Sequence, residues 1–192
     1  NRKKVDVVES GDIIAIAGVE KVAIGDTISD NENPMALQRI KVDDPTVSML
    51  FYVNNSPFAG KEGKFLTTRH ILERLKKEMM LNVSLSVSET KRPEVFEVKG
   101  RGELQMAILI ETMRREGYEF MVSKPQVIKK EENGKILEPM EKVYLDIPED
   151  KVGVVTEKLS SRKGRMTNLQ NNGTGRVNLE FSIPSRGLIG FR

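Results

Sequence analysis

Residues 100–117 limit the fold of this chain more than any other stretch, because they read as one helix enclosed by two strands. A glycine turn precedes the helix, and Gly117 is placed to end it in the left-handed conformation. Segments of alternating apolar residues flank it at residues 94–99 and 118–122. The spacing predicts a broad buried face on the helix, formed by Leu104, Ala107, Ile108, Ile110 and Met113.

The segments around this helix complete a β-α-β-β-α-β order over residues 45–125, which is the split βαβ or ferredoxin-like arrangement. A first helix is predicted to begin at a cap on Thr67 or Thr68 and to run to about Leu81. Its predicted buried stripe consists of Ile71, Leu72, Leu75 and Met79. The strands, each with alternating apolar residues, are predicted at residues 46–53, 82–89, 94–99 and 118–122.

The same order begins again after Asn133 and Gly134, a dipeptide typical of a tight hairpin turn. A strand is predicted at residues 143–147, and a helix opens near Pro148 and closes at Gly164. A strand pair follows at residues 165–169 and 176–183. Residues 137–192 are therefore predicted to form a second ferredoxin-like unit that is incomplete.

Residues 1–33 have a different pattern, with three short apolar segments at residues 5–8, 12–17 and 22–28. Gly-Asp turns separate them at residues 11–12 and 25–26. We interpret this part as the end of a β-barrel domain. The predicted fold class is α+β, with a linker at residues 34–44 after the barrel end and a linker with a hairpin at residues 126–136 between the two ferredoxin-like units.

The composition excludes several classes of protein. The chain has no cysteine and one histidine, His70, which excludes a disulfide scaffold, a cysteine zinc site and a histidine-rich metal site. No apolar run is long enough to cross a bilayer, and no signal peptide pattern is present. No phosphate-binding loop of the G-x-x-x-x-G-K-[ST] type occurs, so no nucleotide-binding residue is assigned. We expect a cytoplasmic protein without a membrane partner.

Basic residues cluster at three places where they could contact RNA phosphates, and the chain carries a formal net charge of +3. The clusters are Lys61 with Lys64, then Arg162, Lys163 and Arg165, and finally Arg186 with Arg192. Cations also favour helix C-termini, which accounts for Arg162 and Lys163 without any RNA. The sequence shows no catalytic constellation and no metal ligand set.

Several longer motifs resemble a known family. Residues 11–18 and 24–28 resemble the end of the second, β-barrel domain of translational GTPases, and residues 46–54 and 100–118 resemble the third domain of that superfamily. Residues 51–63 and 183–191 are similar to the BipA family, also called TypA, whose relatives are elongation factor G and LepA. The resemblance extends over essentially the whole chain.

The resemblance implies a bacterial ribosome-associated GTPase linked to stress responses and to assembly of the large ribosomal subunit. GTP and Mg²⁺ would be bound by a domain that precedes Asn1, and a family-specific domain would follow Arg192. The expected partners are ribosomal RNA and ribosomal proteins near the factor-binding site, and the expected state is a monomer. The unit from residue 137 would correspond to the fifth domain of elongation factor G, with the fourth domain absent.

Three other functions stay open from the residues alone. The chain could belong to another factor like elongation factor G. A ferredoxin-like pair could instead be a small-molecule regulatory domain, and a ligand would then raise its melting temperature. A stand-alone RNA-binding module is less well supported, because the third strand of an RNA-recognition motif needs stacking aromatics and this strand offers only Phe96.

Overall fold

The computed structural model describes residues 4–19, 22–39 and 41–191, and the chain divides into two units, residues 1–41 and 42–192. Within the described part of the first unit no strand is formed. The three strands predicted there, and with them the barrel end, are therefore not found. A strand is stable only when a neighbour pairs with its backbone, and the apolar side chains of these segments, such as Val7 and Ile13, are exposed rather than packed.

The two Gly-Asp turns predicted in the first unit are present. Gly11 and Gly25 have φ of +100° and +90°, a region in which glycine has no steric cost. The carboxylates of Asp12 and Asp26 each accept the N–H of the residue three positions earlier, at 3.0 and 2.9 Å. Local turn chemistry is thus retained where the strands are not formed.

The second unit begins with the N-terminal α/β region, which has a five-stranded antiparallel sheet and two helices. Its elements are β1 (Val47–Val53), α1 (Thr68–Leu81), β2 (Ser86–Glu89), β3 (Val95–Gly100), α2 (Glu103–Arg115), β4 (Phe120–Val122) and β5 (Gln126–Val127). The strand order is β2-β3-β1-β4, and β5 also pairs with β1. The elements follow the predicted order, but the sheet extends to Val127, inside the segment predicted as a linker.

The core of this region lies between the sheet and the two helices. Thr67 caps α1 by accepting the N–H of His70, as the sequence predicts. Alternate residues of β1 point into the core, and Phe51 at its centre stacks on Phe120 with ring centroids 5.3 Å apart. The buried cluster consists of Met49, Phe51, Ile71, Leu75, Leu85, Phe96, Val98, Met106, Leu109 and Met113.

The predicted buried face of α2 is only partly correct, because Met113 is buried and Ile110 packs partly buried against the core, whereas Leu104, Ala107 and Ile108 are exposed. The helix buries Met106, Leu109 and Met113, whereas Leu104 is 73% exposed and Ile108 is 58% exposed. Both sides of this helix are apolar, so helical spacing alone does not select between them. On the buried side, Met106 fits closely against Gly100, where a Cβ would lie 2.4 Å from the methionine methyl group.

A nearly buried arginine joins the two helices. Arg74 on α1 donates to both carboxylate oxygens of Glu116, at 2.5 and 3.0 Å, and to Glu78 at 2.9 Å. The hydrogen bond from Arg74 holds the pKa of Glu116 below its usual value. A charged group can be buried in this way because its donors are paired.

A hairpin connects the two α/β regions. Its strands are β6 (Lys130–Glu132) and β7 (Lys135–Leu137), which pair antiparallel. Asn133 and Gly134 at its tip have φ of +52° and +71°, so the predicted tight turn is confirmed. Positive φ at both central residues is the type I′ geometry that Asn-Gly favours.

The C-terminal α/β region has a three-stranded antiparallel sheet in the order β8-β10-β9. Its elements are β8 (Met140–Pro148), a 3-10 turn (Glu149–Lys151), α3 (Val152–Ser161), β9 (Arg165–Asn171), β10 (Arg176–Pro184) and the short α4 (Ser185–Leu188). Its buried cluster is smaller, and β9 is exposed along its whole length. The cluster consists of Leu159, Val177, Leu179, Phe181 and Ile183.

Candidate nucleic-acid interface

The predicted basic residues lie on three separate parts of the second unit. Lys61 and Lys64 belong to the loop between β1 and α1, which we call the 54–64 loop. Arg162, Lys163 and Arg165 lie between the end of α3 and the start of β9, and Arg186 lies on α4. Arg192, predicted to accompany Arg186, is outside the described residues.

The 54–64 loop is held in place by Glu119, which lies just before β4. Its carboxylate accepts the N–H groups of Gly60, Glu62 and Gly63 at 3.0, 3.2 and 2.9 Å. It also accepts the side-chain amide of Asn54 at 2.6 Å. These donors, Gly60 foremost, lower the pKa of Glu119, so the carboxylate is ionised at neutral pH.

The close contact at Glu119 requires a glycine at position 63. A Cβ on Gly63 would lie 2.6 Å from the Cβ of Glu119 and 2.9 Å from its backbone nitrogen. Lys64 continues the attachment by donating its backbone N–H to the carbonyl of Gly117 at 2.8 Å. The loop backbone is therefore fixed at both the side chain of Glu119 and the end of α2.

The two lysines of this loop are exposed. The ammonium of Lys61 lies 4.8 Å from the centroid of the Phe58 ring, a cation–π distance. Phe58 itself is 68% exposed. Among the residues that the structure describes, no carboxylate pairs with Lys61 or Lys64.

Arg162 is used within the protein. Its guanidinium donates to the carbonyls of Gly187, Ile189 and Gly190 at 2.9, 3.0 and 3.3 Å, and it lies 5.5 Å from the ring of Phe191. Three carbonyls on one turn suit the fixed fork of an arginine. Its primary contact in this structure is thus the chain that follows α4.

Lys163 and Arg165 differ from Arg162, because they make no ion pair or side-chain hydrogen bond within the described residues. Lys163 has φ of +71°. Its N–H binds the carbonyl of Ser160, and the N–H of Gly164 binds the carbonyl of Leu159 at 2.8 Å. This is a Schellman motif with lysine in the left-handed position that glycine usually takes.

Arg186 is paired with a carboxylate. Its guanidinium donates to both oxygens of Glu138, at 2.7 and 3.3 Å, and lowers the pKa of that carboxyl. The neighbouring Ser185 donates its N–H and its hydroxyl to the carbonyl of Pro139. These contacts attach α4 to the chain that follows the hairpin.

The two α/β regions also meet at a cleft of about 390 Å³, where the start of α2 faces the residues after α4. Glu103 on α2 accepts the N–H of Gly190 at 2.7 Å. Residues 187–190 are thereby held on both sides, because Arg162 donates to their carbonyls and Glu103 accepts the N–H of Gly190. The cleft is lined largely by apolar atoms, including those of Leu104 and Leu188.

Metal-binding and membrane-spanning features are absent from the same part of the chain. Over residues 4–19, 22–39 and 41–191 there is no cluster of acidic or histidine side chains able to hold a metal ion. No helix within those ranges is long and apolar enough to cross a membrane. His70 packs edge-on against Phe65, with ring centroids 5.3 Å apart.

The sequence analysis located the cations but missed the two carboxylates that hold the segments on which some of them lie. Glu119 and Glu138 bind groups 56 and 48 residues away along the chain, respectively at Gly63 and Arg186. No local pattern indicates such a contact. Phe58, which lies beside Lys61, was also missed. The sequence does carry a signal for it, because it is an aromatic side chain within a polar loop that contains glycine and proline.

Comparison with known proteins gave consistent matches. The family described as elongation factor G C-terminus matches residues 135–192. The Escherichia coli (strain K12) protein named large ribosomal subunit assembly factor BipA is 53% identical over 191 residues, covering 100% of this chain and 32% of that protein. The Synechocystis protein of the same name is 52% identical over 192 residues, with the same two coverages. The chain spans about a third of the length of these curated relatives.

Solved structures are also similar, among them a crystal structure of a protein from Thermus thermophilus. It has a TM-score of 0.46 and 14% sequence identity, covering 78% of this chain and 38% of that chain. A similarity this low carries no argument about the family, which rests on the family model and the sequence relatives.

Proposed function

Because this chain belongs to the BipA family within the elongation factor G superfamily, we propose that it is the ribosome-binding segment of a translational GTPase. The proposed role is assembly of the large ribosomal subunit and translation under stress. The observation that carries this proposal is identity of 52 to 54% to proteins named large ribosomal subunit assembly factor BipA, over essentially the whole chain.

The proposal divides the work between domains. GTP and Mg²⁺ would be bound by a nucleotide-binding domain outside residues 1–192, and this segment would supply no catalytic residue. Residues 45–125 and 137–192 would be ferredoxin-like domains, which the element orders and antiparallel sheets support. The first would adjoin the GTPase domain, and the second would face ribosomal RNA or protein near the factor-binding site. The protein would act in the cytoplasm as a monomer.

Among the predicted contact residues, the structure favours those that are not already used within the protein. Lys64, Lys163 and Arg165 have exposed side chains without a carboxylate partner among the described residues, and Lys61 lies on an exposed ring. Arg162 already donates to backbone carbonyls, and Arg186 already donates to Glu138. Lys163 with Arg165 is therefore the best test of RNA contact at the C-terminal region.

The test is charge reversal in the complete protein, with Lys163→Glu and Arg165→Glu combined and Arg162 left intact. Each lost phosphate contact should weaken ribosome binding and flatten its salt dependence, by about 0.7 to 0.9 in the slope of log K against log salt. Sedimentation with ribosomes over a range of salt concentrations measures both quantities.

A matched control is Lys91→Glu with Arg92→Glu, two exposed cations in the turn between β2 and β3. It changes the net charge equally and should leave the slope unchanged. Equal effects of the two double variants would assign the loss to overall charge, and an unchanged slope for the first would remove Lys163 and Arg165 from the interface.

A further inference from the structure

The 54–64 loop is exposed and yet its backbone is fixed before any partner binds. Three backbone N–H groups and the amide of Asn54 converge on Glu119, and Asn54 also accepts the N–H of Ser56 at 3.0 Å. A loop that is already ordered pays little conformational entropy when it binds. The tip of this loop is thus preorganised as a contact surface.

The tip presents an aromatic ring beside a cation. Phe58 is the large apolar side chain of this loop that is more than half exposed, at 68%. Lys61 lies over that ring at 4.8 Å, and Lys64 follows three residues later. An exposed ring next to lysines is the combination with which proteins hold single-stranded nucleic acid, the ring stacking on a base and the cations meeting phosphates.

Charge and area favour RNA over a protein as the partner. The negative charge of Glu119 is directed at the backbone donors, which leaves Lys61 and Lys64 against the single carboxylate of Glu62 at the tip. One exposed ring is too small an apolar area for the core of a protein interface, which is built from several packed side chains. A single ring is sufficient for one base.

We propose that the 54–64 loop is a preformed RNA contact, in which Phe58 stacks on an unpaired base and Lys61 and Lys64 bind the adjoining phosphates. The inference rests on the proposed function, because ribosomal RNA is the RNA that the complete protein would meet. It adds a residue, Phe58, and a mode of recognition, stacking, to a function otherwise argued from charge.

The experiment measures ribosome binding of the complete protein across a salt series, with variants at the exposed tip. Phe58→Leu keeps an apolar side chain but cannot stack, and it should weaken binding by about 5- to 100-fold with the salt slope unchanged. Phe58→Tyr keeps the ring and should bind like the wild type. Lys61→Gln should instead lower the slope by about 0.7.

Ultraviolet cross-linking of the ribosome complex, followed by mass spectrometry, identifies the partner directly. A nucleotide adduct on the peptide that contains Phe58 is expected. A ribosomal protein joined at Lys61 by a chemical cross-linker, without a nucleotide adduct, would overturn the RNA assignment.

The outcomes separate this inference from the proposed function. A wild-type protein that does not bind ribosomes refutes the proposed function. A wild-type protein that binds, while Phe58→Leu binds equally well, refutes the stacking contact and leaves the proposed function standing.

Discussion

The helices α2 and α3 end in the same hydrogen-bonded motif, but they place different residues in its left-handed position. In α2 that residue is Gly117, with φ of +89°, and the N–H of Tyr118 binds the carbonyl of Met113. In α3 it is Lys163, with φ of +71°. A side chain in this conformation costs about 1 kcal/mol. The C-terminal region therefore carries an exposed cation at a position where the N-terminal region has a relaxed backbone.

The two α/β regions differ in the same sense on a larger scale. Two long helices, α1 and α2, cover the sheet of the N-terminal region and enclose Phe51. The sheet of the C-terminal region is packed by the shorter α3 and the four-residue α4. Its strand β9 stays exposed throughout. One element order thus gives two cores of different size, because the length of the helices packed on a sheet decides how much apolar surface is buried.

The largest effects are expected from emptying the two cores. Phe51→Ala should destabilise the N-terminal region by about 4 kcal/mol, and Phe181→Ala should destabilise the C-terminal region by about 3 kcal/mol. Both side chains are fully buried, but the thinner cover of Phe181 lets the site relax further. Hydrogen exchange resolved by peptides measures each region separately. Equal acceleration of both regions by either variant would show that they unfold as one.

Next come the two glycines at close contacts. Gly63→Ala and Gly187→Ala should each cost about 2 kcal/mol, because the added Cβ would lie 2.6 Å from Glu119 and 2.7 Å from the carbonyl of Arg162. Gly153→Ala is the control, since Gly153 lies on α3 with nothing within 4 Å. It should stabilise by about 0.5 to 1 kcal/mol. Chemical denaturation gives the three values, and a neutral Gly63→Ala would mean that the loop shifts readily.

A smaller effect of opposite sign is expected at the two helix ends. Gly117→Ala should destabilise by about 1 kcal/mol, whereas Lys163→Gly should stabilise by about 0.5 kcal/mol, because strain is added in the first and removed in the second. Thermal denaturation measures both. If Lys163 also contacts RNA, Lys163→Gly raises the melting temperature and weakens ribosome binding together. Destabilisation by Lys163→Gly would contradict the assigned strain.

The smallest effect is a pH dependence centred on Glu119 and Glu138. Their pKa values are lowered in the folded state, for Glu119 chiefly by the N–H of Gly60 and for Glu138 by Arg186. Their stabilisation is therefore complete above the unfolded pKa of about 4.3 and is lost as the pH falls through the lower folded value.

The measurement compares melting temperatures of the wild type with Glu119→Gln and Glu138→Gln between about pH 7 and pH 3, a range that spans the titration of both carboxyls. Each variant should melt below the wild type at neutral pH, and the difference should disappear in acid. Glu119→Gln should show the larger difference, because Glu119 accepts more donors. A difference that persists in acid would show that the amide disturbs packing rather than charge.

The elements with local causes could be predicted from the sequence. Thr67 caps α1, Gly117 ends α2, and Asn133 with Gly134 turns the hairpin, because each of these depends on residues within a few positions. The candidate cations were found for the same reason, since a charged side chain is visible in any sequence. Which of these cations bind groups within the protein was not predictable, because such partners can be distant in the sequence. Those of Arg162 lie 25 to 28 residues away.

The strands predicted in residues 1–33 show the limit of local patterns. Alternation and turn residues indicate where a strand could form, but pairing requires a second segment, and none pairs with them in the described part of that unit. Likewise the apolar residues of α2 predict a helix without choosing which side it buries. In the structure the side that carries Met106, Leu109 and Met113 joins the core, and Met106 packs closely on Gly100.

The sequence by itself determined the family, the order of elements and the positions of caps and turns. Caps and turns arise from interactions between near neighbours, and family membership arises from residue identity. The tertiary structure alone decided which face of α2 is buried, that Glu119 fixes the 54–64 loop, and that Arg162 binds carbonyls while Lys163 stays exposed. These outcomes depend on groups brought together from distant parts of the chain, where packing and hydrogen-bond geometry select one arrangement among several that the local pattern permits.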